Sequence, residues 1–299
     1  MIIVFGSINL DLLATVDRLP NAGETLIARS FAMGPGGKGA NQALAARRAG
    51  SSVAMVGAVG SDTFADPALA LLREDGVDIS RVRAVDTPTG VALIHVDAQG
   101  ENAITVVAGA NACTSADWVP DTAFDASTII VMQLEVSLPE VDALARRAHA
   151  AGSRVILNAA PAQPLSAKVL HQIDVLIVNE SEAETISAAL DLAAAPVQFV
   201  GQYRTRFGRD AIVSLGPRGL VASSPTGAIT VAAPSVNVVD TVGAGDALVG
   251  ALAAALDRKA PWMRALKEAV AAGSLACTQA GAQPSLPRQH AIAAIADTI

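Results

Sequence analysis

The sequence predicts an α/β protein: a mostly parallel central sheet covered on both faces by helices, an α/β/α sandwich of three layers, with a small β-sheet lid. Three observations lead there. Short β-branched runs alternate with helical stretches along most of the 299 residues, the pattern of βα units wound around a buried parallel sheet. Hydrophobic residues make up 52% of the chain and aromatics only 3%, so the core is built from Ala, Val, Leu and Ile, which suit strands buried on both faces. Two segments, about 11–31 and 91–107, break the rhythm by alternating apolar and polar residues with turn chemistry between them.

Strands are expected at Ile2–Phe5, Val53–Val56, Thr128–Met132, Val155–Leu157, Val175–Val178, Ala211–Ser214 and Leu220–Ala222. Helices are expected at Ala40–Ala49, Pro67–Glu74, Pro139–Ala151, Glu180–Asp191 and Gly245–Arg258. In the second irregular segment, Val91–Val96, Gly100 and Ala103–Val106 read as strand, turn and strand of a β-hairpin. Strands inserted there would form a second sheet that projects over a site. No Pro/Gly/Ser-rich linker, low-complexity tract or internal repeat interrupts residues 1–299, which favours a single domain with an excursion.

Several function classes fall away. No apolar run is long enough to cross a bilayer; the richest, Ala251–Leu256, is too short. The opening MIIVFGSINLD lacks a basic region and carries Asp11 within it, so it reads as a first strand rather than a signal peptide, and a cytoplasmic location is expected. A net charge of -7 argues against a partner with a nucleic-acid backbone. The pairs Arg47-Arg48 and Arg146-Arg147 fall within helical patterns and read as solvated faces. Cys113 and Cys277 have neither CxxC spacing nor nearby His partners, so free thiols are expected rather than a zinc site or a disulfide. His95, His149, His171 and His290 are scattered and read as structural or surface residues.

The chemistry gathers at five places. Gly243-Ala244-Gly245 runs directly into a strong helical pattern, offering bare backbone N–H groups at a helix N-terminus, where anions bind. Asp246 follows in the first turn; it is either a helix cap or a base that takes a proton from an attacking hydroxyl while the loop amides stabilise developing charge. Met33–Ala46 contains Gly36-Gly37-Lys38-Gly39-Ala40-Asn41-Gln42. It is not a Walker A loop, because Ala32 stands at the first Gly position and Gly39 follows Lys38 where Ser or Thr is needed. It reads instead as a glycine turn admitting a ligand close to a helix that starts with Lys38, Asn41 and Gln42. Asn9 and Asp11 alternate onto one face, suited to reading neighbouring hydroxyls, or simply furnish a turn. Glu135 follows a strand at the end where open α/β sheets bind ligands. Asn179 and Glu182 stand three apart at a strand-to-helix junction, a spacing that also suits ordinary capping.

These motifs, from GSINLDLL to GAQPS, resemble the PfkB, or ribokinase-like, family of carbohydrate kinases over essentially the whole chain. The two signatures are the Gly36–Gln42 run and Asp240-Thr241-Val242-Gly243-Ala244-Gly245-Asp246. Thr87–Ala92, Gly100-Glu101-Asn102, Ala108–Asn111, Met132–Glu135 and Gly281–Ser285 place it nearest the members that phosphorylate ribose. The resemblance implies ATP-dependent phosphorylation of a sugar primary hydroxyl, ribose to ribose 5-phosphate, with Asp246 as base and the amides of Gly243, Ala244 and Gly245 as anion hole. It implies that Asn9, Asp11, Gly37, Lys38, Asn41 and Glu135 hold the sugar. Asn179 and Glu182 would organise magnesium and the nucleotide phosphates, with Ser214, Gly216, Pro217, Gly219 and Gly245 along the nucleotide. Asp240, Val242, Ala276, Gly281 and Ser285 stand where the family holds potassium, although Gln279 departs from the basic residue common there. Ile186–Phe207 matches no family pattern. The lid strands correspond to those that also make a homodimer interface. Few aromatics argue against a nucleoside, and Lys38 as the sole basic residue placed near the sugar argues against a phosphosugar. A kinase of the same family for another sugar or a nucleoside is one alternative, and a non-catalytic sugar sensor on the same fold is another.

Overall fold

In the computed structural model, which describes residues 1–299, the seven runs expected as strands of the central sheet all pair within one sheet. In chain order, β1 (Ile2–Phe5), β2 (Asn9–Thr15) and β3 (Ser30–Gly36) precede α1 (Lys38–Arg48). Next come β4 (Val53–Gly60), α2 (Ala65–Glu74), β5 (Asp78–Val85), β6 (Gly90–Val96) and β7 (Asn102–Val107). The middle of the chain supplies β8 (Ile129–Met132), α3 (Leu138–Ala150), β9 (Arg154–Asn158), the one-turn α4 (Ala167–Leu170), β10 (Val175–Asn179) and α5 (Glu180–Leu190). It continues through α6 (Pro196–Phe207), β11 (Asp210–Ser214), β12 (Leu220–Ser224) and β13 (Gly227–Val231). The C-terminal part is helical: α7 (Ala244–Asp257), α8 (Trp262–Ala276), the one-turn α9 (Ala282–Ser285) and α10 (Gln289–Ala296).

The large sheet has the order β13-β12-β11-β10-β9-β8-β1-β4-β5. It is parallel from β11 to β5, with β12 and β13 antiparallel at one edge. The chain builds outward from β1 through β4 and β5, then returns to the other side of β1 and builds through β8 to β11. This reversal beside β1 is the topological switch point at which open α/β sheets place their ligands, beyond the carboxyl ends of the strands. Alternate residues of the central strands enter opposite cores. Ile2, Val4 and Val131 pack with α1, α7 and α8, whereas Ile3, Phe5 and Met132 pack with α3, α5 and α6.

The second sheet, β3-β2-β6-β7, is the lid expected from the two irregular segments. Its bounds are wider than expected, because β2 begins at Asn9 and β3 runs on to Gly36. The cause is register: β2 pairs antiparallel with β3 throughout, Asn9 opposite Gly36 and Thr15 opposite Ser30, so the glycine run before α1 is itself the end of a strand.

One helix pair bears directly on function. α1 and α7 lie side by side and parallel. A Cβ added to Gly250 would fall 2.4 Å from Ala45 Cβ and 2.6 Å from Ala46 N, so only glycine permits this approach. At the far end, Arg258 Nη1 donates to the carbonyl of Ala49 (2.6 Å). Replacing Gly250 by Leu should therefore destabilise the protein by about 1–3 kcal/mol through overpacking, outweighing the gain of roughly 0.8–1 kcal/mol that leaving glycine brings in a helix interior. Urea unfolding monitored by circular dichroism measures the sign; a more stable Leu variant would show that the two helices do not depend on their close contact.

Candidate active site

Each polar residue of the site stands at or just beyond the carboxyl end of a strand of the large sheet, or on a helix or lid strand facing that end. Ser7 follows β1 and Glu135 follows β8, while Asn158, Asn179 and Ser214 end β9, β10 and β11. Strand register alone brings these residues into one row, with Leu157 opposite Met132 and Ser214 opposite Asn179.

The two helices of the close pair meet the row with their N-termini. α1 begins after Gly37 (φ +87°) and α7 after Gly243 (φ +81°), neither with a side-chain cap. Asp246 therefore does not cap its helix. It is buried, and its two oxygens are shared between amides of α1: Asn41 Nδ2 donates to Oδ2 and Gln42 Nε2 to Oδ1, both at 2.9 Å. Of the three expected amides of the anion hole, Ala244 N donates to Thr241 O at 3.3 Å, leaving those of Gly243 and Gly245 without a protein acceptor.

A cavity of about 220 Å³ opens beside Asp246, lined among others by Lys38, Asn158, Glu182, Ser214, Gly243 and Gly245. Asn179 also lines it, and here the capping expectation holds. Asn179 Oδ1 accepts from Glu182 N and Glu182 Oε2 from Asn179 N, both at 2.8 Å. Only one Glu182 oxygen is spent in that box, and Glu182 still lines the cavity. Gly216, Pro217 and Gly219 form the turn after β11, outside the cavity lining.

On the other side of Asp246 lies the lid half of the site. Glu135 accepts from Ser7 Oγ (2.5 Å) and from the backbone N–H of Lys38 (3.0 Å), so the carboxylate sits at the start of α1. Asn9 and Asp11, two apart on β2, share a face. Asn9 is buried and its Oδ1 accepts from Asn111 Nδ2 (2.7 Å), while Asn111 Oδ1 accepts from Ile8 N (2.8 Å). Asp11 stands free of such partners, and burial, followed by the nearby charges of Glu135 and Asp246, pushes its carboxyl up to about 7. Lys38 is the balancing cation. Burial works against its charge, but Asp246, Glu135 and Glu182 together hold its ammonium above its ordinary range. Glu182 is likewise pushed up by burial, against the pull of the Asn179 N–H and Lys38.

The expected cation loop is held by Asp240, whose Oδ1 accepts from Val242 N (3.0 Å) and Oδ2 from Gly281 N (2.8 Å). Ser285 Oγ donates to Ala282 O (2.9 Å). Ala276 closes α8 one residue before Cys277, whose carbonyl accepts from Val239 and Asp240. Both cysteines are free. No helix is long and apolar enough to cross a membrane.

Sequence reasoning named Gln42 without a role and passed over Asn158, Asn111 and Gln133 as site residues. Asn158 carries the signal that singled out Glu135, a polar side chain at the carboxyl end of a buried parallel strand, and could have been found by it.

A family model described as pfkB family carbohydrate kinase matches residues 1–289. The ribokinase of Schizosaccharomyces pombe is 35% identical over 301 residues, covering 96% of this chain and 94% of the relative. The deoxyribokinase of Salmonella typhi is also 35% identical, over 291 residues, 96% of this chain and 95% of the relative. The solved structure of Arabidopsis thaliana ribokinase complexed with ribose and ATP superposes with a TM-score of 0.87 at 29% identity, covering 99% of this chain and 98% of that one.

The crowding of Asp11 has a measurable consequence. Its folded value lies above the ordinary 3.8, so the native state holds a proton that the unfolded chain releases. The associated stability is fully present below pH 4 and is lost as pH rises towards about 7. In ligand-free protein, Asp11→Asn should therefore raise the melting temperature relative to the parent increasingly from pH 4 to 7, then by a constant amount. A difference independent of pH would remove Asp11 from this account.

Proposed function

The chain belongs to the pfkB family of carbohydrate kinases, and from that premise we propose that it transfers the γ-phosphoryl group of ATP to the primary hydroxyl of a pentose, converting ribose to ribose 5-phosphate. The observation that carries this reading is the position of Asp246: one carboxylate between a polar half suited to hydroxyls and a cavity with free amides and a lysine suited to phosphates.

On this reading Asn9, Asp11, Gly37, Asn41 and Glu135 hold the sugar, and Lys38 lies between sugar and phosphate. Asp246 takes the proton of the sugar hydroxyl as its oxygen forms the new O–P bond. The bond between the γ-phosphorus and the β,γ-bridging oxygen breaks, and ADP leaves with the electron pair. The amides of Gly243 and Gly245, with Lys38, receive the charge that spreads over the transferred group. The lid excludes water, so that the sugar rather than water is the nucleophile. Ser214, Gly216, Pro217 and Gly219 run along the nucleotide.

Two ions fit the residues present. A hard, partly hydrated magnesium suits the Glu182 oxygen left outside the capping box, with Asn179 beside it; when bound it would neutralise phosphate charge. A monovalent cation such as potassium suits the loops that Asp240 ties together, where Val242, Ala276, Gly281 and Ser285 stand beside the start of α7.

The lid leaves Phe31, Met33 and Leu93 exposed on the face away from Asp11, and Ile104 and Val106 exposed on the other, apolar surface that supports a homodimer through the lid strands. Light scattering should then give close to twice the 30.2 kDa chain mass; a monomer at working concentration would remove the dimer and leave the chemistry intact.

The decisive test is a coupled ADP-release assay with ribose, 2-deoxyribose, fructose, adenosine and uridine, with magnesium, with and without potassium. Ribose should give the highest kcat/KM, and Asp246→Asn should lower kcat by about 10²–10⁴-fold. Turnover of 2-deoxyribose in preference to ribose would redirect the sugar assignment; an active Asp246→Asn would overturn the base.

A further inference from the structure

Behind Asp246 lies a chain of three buried amides, Gln42, Gln133 and Asn158, of which only Asn158 lines the cavity expected to take the phosphates. Gln42 donates both hydrogens of Nε2, one to Asp246 Oδ1 (2.9 Å) and one to Asn158 Oδ1 (3.0 Å). Its Oε1 accepts from Gln133 Nε2 (2.6 Å). Gln42 and Gln133 are each 0% exposed. A carboxylate only accepts, so Asp246 fixes which end of the Gln42 amide faces it. That choice leaves Oε1 pointing at Gln133, and Gln133 must turn its nitrogen to meet it. Gln133 Oε1 is left without a partner, pressed against Gly6, where an added Cβ would lie 1.9 Å away. Gln133 therefore keeps a buried, unpaired oxygen, an arrangement that costs stability and that packing alone gives no reason to keep.

We infer that Gln42, locked by Gln133, is a positioning residue that aims the Asp246 carboxylate at the sugar hydroxyl. The inference rests on Asp246 being the base. Asn41 holds the other oxygen but is also expected to touch the sugar; Gln42 is sealed from both substrates and acts only through Asp246 and Asn158. Its loss should leave substrate binding alone and slow the step in which the proton is taken.

The variants are Gln42→Met and Gln133→Met, each close in volume to the parent and without an amide. Gln42→Met should lower kcat by roughly 10- to 100-fold, the scale of a misplaced catalytic group, with KM for ribose and for ATP near the parent values. Gln133→Met leaves every contact of Asp246 in place and should give a smaller loss, again in kcat. Added to Asp246→Asn, Gln42→Met should cost nothing further, because residues acting as a unit are not additive. The inference is overturned if folded Gln42→Met keeps the parent kcat, if its loss appears only in KM, or if it multiplies that of Asp246→Asn. Should Gln42→Met fail to fold, Gln133→Met decides: an unchanged kcat there sinks the relay. An Asp246→Asn variant with full activity would instead remove the base itself, an outcome distinct from an active Gln42→Met beside an inactive Asp246→Asn.

Discussion

The parallel contact between α1 and α7 is the constraint on which the site depends. Three points along it are in step: Asn41 and Gln42 reach Asp246, Ala45 and Ala46 meet Gly250, and Ala49 accepts from Arg258. Two small-residue helix faces let the backbones come close enough for side chains as short as Asn and Gln to span the gap. Arg258 also donates to Glu268 Oε2 (2.5 Å), whose other oxygen, Oε1, accepts from Arg264 Nε (2.9 Å), so α8 braces the end remote from the chemistry. Residues more than 200 positions apart in sequence thus share one carboxylate because two helices are held in register along their whole length.

Electrostatics supplies the second constraint. Glu135, Glu182 and Asp246 share Lys38 as their cation, and Asp11 feels the charges of Glu135 and Asp246. Carboxylates brought together out of water resist ionising together. Asp11 carries the burden because it alone lacks strong donors: Glu135 has Ser7 and the Lys38 amide, Glu182 has the Asn179 amide, and Asp246 has Asn41 and Gln42. On the proposed reading, sugar hydroxyls arriving at Asp11 would supply the donors that the protein withholds.

Much of the fold could be read from the chain because its central strands are buried on both faces and therefore appear as unbroken β-branched runs. What could not be read follows from where that rule fails. β5, with Asp78, Arg81 and Arg83, is an edge strand with one side in solvent, and its charges conceal it. α6 spaces Phe199, Val200, Tyr203 and Phe207 onto a buried face, but its β-branched and aromatic residues are weak helix formers, so its pattern passed unmatched. α8 and α10 are Ala-rich helices that follow no strand of the alternating series. In the site, types and locations were legible wherever a polar residue ended a strand or a glycine run met a helix. Partnerships were not. That Asn41 and Gln42 serve Asp246, or that Asn111 holds Asn9, depends on register between distant elements that no local pattern encodes.

On the proposed reading Asp246 is the base, and a carboxylate held by two hydrogen bonds might be thought spent. The stoichiometry argues otherwise. A carboxylate offers about four acceptor sites, and the two amides occupy one on each oxygen, leaving each oxygen a further acceptor site. Both donors are neutral amides, so they orient the group through single hydrogen bonds rather than through a charged fork. Lys38, the charged neighbour, makes no hydrogen bond to Asp246 in this structure and is divided among three carboxylates. On the proposed reading, the arrangement aims Asp246 while leaving an acceptor position open, which is what a hydroxyl with little acidity of its own requires of the group that takes its proton as the phosphoryl bond forms.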